Sequence, residues 1–200
     1  MSEDKYVVAV AFSKWSLMEI FDFMADHLEA KKEQIGAARI DRYKAKGGEI
    51  KESNRTIMLI ERELFQEAVS KDLNKSQTNS DFKIAEYTLN DRHFPNENQK
   101  ANLYLNFPNE IPVKDIELQL KDKLKTFKDF GLLKGKYRIV IPLKSRETGE
   151  NHGFGYVNFT DDDLKSRALI KVLLHDSRLY NDKDPDNRYY LKAYWTKDKK

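Results

Sequence analysis

Arg146-Glu147-Thr148-Gly149-Glu150-Asn151-His152-Gly153-Phe154-Gly155-Tyr156-Val157-Asn158-Phe159 opens as a polar, glycine-containing turn and runs on into alternating aromatic and small residues. That change of pattern marks a turn feeding a β-strand. Residues two apart in a strand share a face, so Phe154 and Tyr156 emerge together while Val157 and Phe159 turn the other way. The inner pair suits a core. The outer pair of rings needs a ligand or a cover, because the wet face of a sheet is ordinarily polar.

The flanking segments extend this reading. Upstream, Leu103-Tyr104-Leu105-Asn106-Phe107-Pro108 alternates and stops at a proline, as a strand end does. Leu103 and Leu105 point inward, Tyr104 and Asn106 outward. Residues 113–130 read as a helix whose Ile116, Leu120, Leu124 and Phe127 form one apolar stripe, with Gly131 as its stop. Lys136 to Leu143 reads as a strand with Ile139 and Ile141 inward, followed by a polar turn from Lys144 to Asn151. After the aromatic strand, Thr160 or Asp161 is expected to cap a helix carrying Leu164, Ala168, Val172 and Leu173. Asp182 to Asn187 is a loop by composition, and Arg188 to Trp195 reads as one last strand. Leu191 and Ala193 would face inward there, and Tyr190, Lys192 and Tyr194 outward.

His152 to Phe159 resembles the octamer signature of the RNA recognition motif family: basic, Gly, aromatic, Gly or Ala, aromatic, aliphatic, any, aromatic. Seven of the eight positions comply, and His152 stands where the family has Lys or Arg. The segment beginning at Leu103 resembles the family's second signature, with Tyr104 at its outward aromatic place. The likeness covers about 100 residues, from Lys100 to Lys197. It implies an α+β, ferredoxin-like split βαβ fold (βαββαβ), a four-stranded antiparallel sheet with two helices on one face.

The resemblance also implies a function, binding of single-stranded RNA. Tyr104, Phe154 and Tyr156 would stack on two or three bases. Asn106, His152, Tyr190 and Tyr194 would share that face. Arg138, Lys144, Arg146, Arg188 and Lys192 would meet phosphates or base edges, with the tail lysines Lys197, Lys199 and Lys200 adding reach. Charge agrees: residues 1–95 hold 15 Lys and Arg against 17 Asp and Glu, whereas residues 96–200 hold 21 against 16, so the aromatic half is the basic one.

Residues 5–90 repeat the element order without the signatures. Strands are expected at Tyr6–Phe12, Ala38–Tyr43, Arg55–Ile60 and Phe82–Leu89, with a loop over Lys44–Asn54. One helix would carry Leu17, Ile20, Phe21, Met24 and Leu28, the other Leu64, Phe65, Ala68, Val69 and Leu73. This suggests two tandem domains, a degenerate one over 1–92 and the signature-bearing one over 100–197, joined by a polar linker over Asn90–Lys100. The strand that should carry the first domain's octamer, Arg55-Thr56-Ile57-Met58-Leu59-Ile60, has no ring. That domain is expected to brace its neighbour, bind a protein partner or self-associate. An interaction adaptor stays open as the alternative, prompted by Phe21, Phe23 and Met24 on several sides of one helix.

Other chemistries find little footing. The 200 residues include no cysteine, which removes disulfides, thiolate catalysis and cysteine-ligated zinc. His27, His93, His152 and His175 lack metal-ligand spacing. Asp161-Asp162-Asp163 suits a helix start better than a metal. Neither a phosphate-cradling loop nor a nucleophile elbow occurs. No enzymatic activity and no cofactor are expected. The lack of a secretion-type N-terminus and of any long apolar run suggests an intracellular protein with no membrane partner.

Overall fold

A computed structural model describes residues 5–13, 15–71 and 82–197. The expected contributions of Leu73, Lys199 and Lys200 lie outside them. The chain forms two compact units, Met1–Thr88 and Leu89–Lys200. None of the described helices is long and apolar enough to cross a membrane.

The first unit runs β1 (Tyr6–Phe12), α1 (Leu17–Leu28), β2 (Ile35–Lys44), β3 (Ile50–Glu61), α2 (Arg62–Ser70) and β4 (Lys83–Glu86). Its sheet has the order β2-β3-β1-β4, all neighbours antiparallel. Alternation sets the core: Val7, Ala9 and Ala11 of β1 and Met58 and Ile60 of β3 meet Ile20, Phe23, Met24 and Leu28 of α1 and Leu64 and Ala68 of α2. Both helices therefore cover one sheet face. Ser16 caps α1 through a reciprocal pair, its hydroxyl accepting from Glu19 N–H and the Glu19 carboxylate accepting from Ser16 N–H at 2.7 Å.

Several expectations for this unit change. Phe23 is buried and Phe21 only flanks the core, while Val69 is 44% exposed. Phe23 and Met24, which prompted the adaptor reading, are consumed by the unit's own interior; Phe23 stands 4.9 Å from Phe82 and 5.0 Å from Trp15, centroid to centroid. The expected Lys44–Asn54 loop is mostly strand. β2 and β3 close through a tight turn in which Ala45 and Glu49 hydrogen-bond and Gly48 takes φ +85°. Polar side chains line this hairpin because its end projects beyond the core, so no apolar alternation announced it.

The second unit runs β5 (Gln99–Asn106), α3 (Val113–Asp129), β6 (Lys136–Val140), β7 (Phe154–Thr160), α4 (Leu164–Leu174), β8 (Arg178–Leu179), β9 (Tyr189–Tyr190) and β10 (Lys192–Lys197). Its main sheet has the order β10-β5-β7-β6. Each unit thus has the βαββαβ order and strand arrangement of a split βαβ fold, the second with an added ribbon. The α3 stripe of Ile116, Leu120, Leu124 and Phe127 is fully buried. So are Leu103, Leu105 and Val157 of the sheet. The polar segment before β5 belongs to this unit: Trp195, buried in β10, donates its indole N–H to His93 O at 2.9 Å.

Four expectations here need correction. The last strand is broken: Tyr189–Tyr190 pairs with Arg178–Leu179 as a separate ribbon, and only Lys192 onward joins the main sheet. Ile139 and Ile141 are half-buried, because β6 is an edge strand and ends before Pro142. Leu164 is 44% exposed, and α4 instead buries Leu169, Ile170 and Leu174 besides Ala168, Val172 and Leu173. The α4 cap is Asp163, whose carboxylate accepts from Ser166 N–H at 2.8 Å. Its neighbours have other work. Asp161 turns the chain at φ 65°, and Asp162 accepts the N–H groups of Lys134 and Gly135 at 2.7 and 2.9 Å.

Candidate nucleic-acid interface

Strand register places the outward residues of the second sheet in rows. Tyr194 of β10, Tyr104 of β5, Tyr156 of β7 and Val140 of β6 stand opposite one another in sequence across the sheet. The next row is Lys192, Asn106 and Phe154. Arg138 and Asn158 form a row at the other end. All lie on the face turned away from the buried Leu103, Leu105 and Val157.

The rings form one cluster. Tyr104 lies 5.9 Å from Phe154 and 5.6 Å from Tyr156, and Phe154 lies 6.0 Å from Tyr156 at an interplanar angle of 80°. His152 continues the line, 5.9 Å from Phe154. Such offset and edge-on contacts suit aromatic quadrupoles. Tyr104, Phe154 and Tyr156 are half-buried by one another and their neighbours, yet none is sealed, and Tyr194 is 44% exposed. Tyr194 also meets the His175 ring edge-on at 5.5 Å.

The glycines between the rings are demanded by packing. A Cβ on Gly155 would stand 3.0 Å from Val140 O and 3.3 Å from the Phe107 ring. Gly153 takes φ +81°, and a Cβ there would strike Asn109 Oδ1 at 2.5 Å.

Asn151, which carries no signal of its own in the sequence, fixes this corner. It is buried, donates its amide to Ile111 O at 2.7 Å and to Pro108 O at 3.3 Å, and accepts from Gly153 N–H. The β6–β7 loop, which carries Lys144, Arg146 and His152, is thereby tied to the β5–α3 loop. An asparagine before a His-Gly step looks like ordinary turn chemistry, so nothing local distinguishes it.

The basic residues divide into two groups. Arg138, Lys144, Arg146 and His152 are exposed around the ring face, Lys144 with Glu150 at 3.9 Å. Lys192 shares the ring face, but its ammonium is held by the buried carboxylate of Asp176. The ammonium expected to meet phosphates or base edges is therefore already ion-paired within the protein. Arg188 and Tyr190 fall outside the four-stranded sheet, Arg188 in the preceding loop and Tyr190 opposite Arg178 in the β8–β9 ribbon. The sequence points them to the ring face because the alternation of Tyr190, Lys192 and Tyr194 runs unbroken through the point where the backbone changes partners. Among the described residues no group of three or more His, Asp or Glu is placed to hold a metal.

No protein-family profile and no curated protein matches the chain. Among solved structures it is similar to a Sxl-lethal protein/RNA complex, at 13% identity over 95% of this chain and 99% of that one, with a TM-score of 0.30. It is also similar to the N-terminal three RNA binding domains of the yeast splicing factor Prp24, at 13% identity over 99% of this chain and 69% of that one, with a TM-score of 0.33.

Proposed function

We propose that the protein binds single-stranded RNA, with Tyr104, Phe154 and Tyr156 as the stacking platform of the second unit. The observation that carries this reading is the cluster of three rings, each within 6.0 Å of the others, left accessible on the sheet face opposite the core. Every base has a π-face, so such a platform accepts unpaired bases without needing a fixed sequence, at about 1–3 kcal/mol per stacked base. Asn106, beside Phe154, supplies a donor and an acceptor for a base edge. Arg138, Arg146 and Lys144 supply positive charge for the backbone at its rim, and His152 extends the ring line. Among the described residues the first unit shows no comparable exposed ring cluster, and it serves to brace the protein or hold a protein partner.

The test compares a labelled mixed-sequence RNA titrated against the full chain and against Phe154→Leu/Tyr156→Leu. Leucine keeps apolar bulk while removing the π-face. Weakening of affinity by at least roughly tenfold is expected when two stacks are removed. Equal affinities at moderate salt reject the platform.

A further inference from the structure

The helix α4 is buried nearly all round. After its exposed first two residues, Leu164 and Lys165, only Arg167 and Lys171 reach the surface, each half-buried. They stand four residues apart, on one side of the helix and about 6 Å from each other along its axis. Like charges at this spacing repel, and partial loss of water strengthens the repulsion.

Among the described residues neither side chain has a carboxylate at ion-pairing distance. The exposed lysines of α3 are better provided: Lys121 meets Glu117 at 2.7 Å and Lys125 meets Asp129 at 2.5 Å. On α4 the protein supplies rings instead. The Lys171 ammonium lies over the Trp195 ring, 5.3 Å from its centroid, and the Arg167 guanidinium over the Phe159 ring at 5.8 Å. Such contacts stabilise a cation by about 0.5–2 kcal/mol but leave its charge unmatched. Arg167 gives Nη1 to Ala101 O at 3.0 Å, while its Nε is buried with no acceptor. Burial pushes the Lys171 ammonium below its ordinary pKa, and no carboxylate pulls it back.

Two unmatched charges one helical turn apart suit an anion of charge close to −2. A phosphate monoester carries about −1.5 to −2 at pH 7, whereas each diester link of a nucleic acid carries −1. Arginine grips such a group through its planar fork and lysine as a point charge. The rings beneath the two cations are buried, Trp195 and Phe159 each 5% exposed, on the helix-covered side of the sheet. No π-face is left there for a base, which favours a phosphorylated side chain over a nucleotide.

We infer that Arg167 and Lys171 form a binding site for the phosphate of a phosphorylated protein segment, on the face of the second unit turned away from the ring platform. This site is independent of the RNA-binding reading, and each stands or falls by its own experiment.

The test begins with the full chain and inorganic phosphate, titrated at constant ionic strength and followed by nuclear magnetic resonance. Saturable shifts at Arg167 and Lys171 are expected. Lys171→Gln, shown by thermal melting to be folded, should weaken phosphate binding by roughly tenfold or more, as loss of a charged hydrogen-bond partner does, and Lys171→Arg should restore it. A mixed-sequence peptide pool carrying one phosphoserine should then be retained by the wild type and not by Lys171→Gln, with the same pool lacking phosphate retained by neither. No saturable phosphate binding, or equal binding in folded Lys171→Gln, overturns the site. Phosphate binding without retention of the phosphoserine pool overturns the assignment to a protein partner. So does a preference for 5′-phosphorylated over 5′-hydroxyl RNA that Lys171→Gln abolishes.

Discussion

Asn151 donates its side-chain amide to the carbonyl of Ile111 at 2.7 Å, across 40 residues of sequence. Through that bond and its acceptance of the Gly153 N–H, one buried amide ties the β5–α3 loop to the residue just before the aromatic strand.

Replacing Asn151 by alanine orphans the Ile111 carbonyl and the Gly153 N–H in a buried site. A stability loss of about 1–3 kcal/mol is expected, measured by urea unfolding of the folded chain. If Asn151 positions the platform, the penalty of Phe154→Leu on RNA binding shrinks in the Asn151→Ala background. An unchanged penalty would confine Asn151 to stability.

Lys192 and Arg138 share the ring face but are expected to behave oppositely. Lys192→Ala leaves the buried Asp176 carboxylate without its lysine, so it should lower the melting temperature and leave the salt slope of RNA binding unchanged. Arg138→Ala removes an exposed cation, so it should leave melting unchanged and make the slope shallower by about 0.7. Measuring both properties on both variants checks this division of the basic residues.

At the α4 cap, burial raises the affinity of Asp163 for its proton. The Ser166 N–H and hydroxyl, together with the Lys134 charge, outweigh that effect and hold the carboxyl below its ordinary range. A depressed folded-state value means the carboxylate contributes stability that is full above the unfolded value, about 3.9, and is lost as pH falls through the folded one. Asp163→Asn keeps a cap acceptor and removes the charge. Its melting temperature should fall less steeply than that of the wild type as the pH is lowered from about 5 towards 2. Parallel acid profiles would show that the charge at this position is immaterial.

Much of this architecture is legible in the sequence because its signals have a period. The strand through Phe154 and Tyr156 alternates with period two, α3 repeats Ile116, Leu120, Leu124 and Phe127 on one side, and Gly131 ends that helix at φ +79°. The ring cluster follows from the same alternation, since Tyr104 and Tyr156 stand opposite one another once both strands are in register. What escapes depends on partners far along the chain. The pattern of Tyr190, Lys192 and Tyr194 continues smoothly although Tyr190 pairs with Arg178 and Lys192 with Asn106, so side-chain alternation conceals a change of backbone partner. The engagement of Lys192 by Asp176 and the burial of Asn151 are tertiary facts with no local period.

The tight turn between β2 and β3 has a practical consequence. Gly47 has no neighbouring atom within 4 Å of where a Cβ would stand, and the chain contains no cysteine. A Gly47→Cys substitution would install the sole thiol at an uncrowded hairpin tip, where a maleimide dye could report on the protein by fluorescence without a background of competing sulfur.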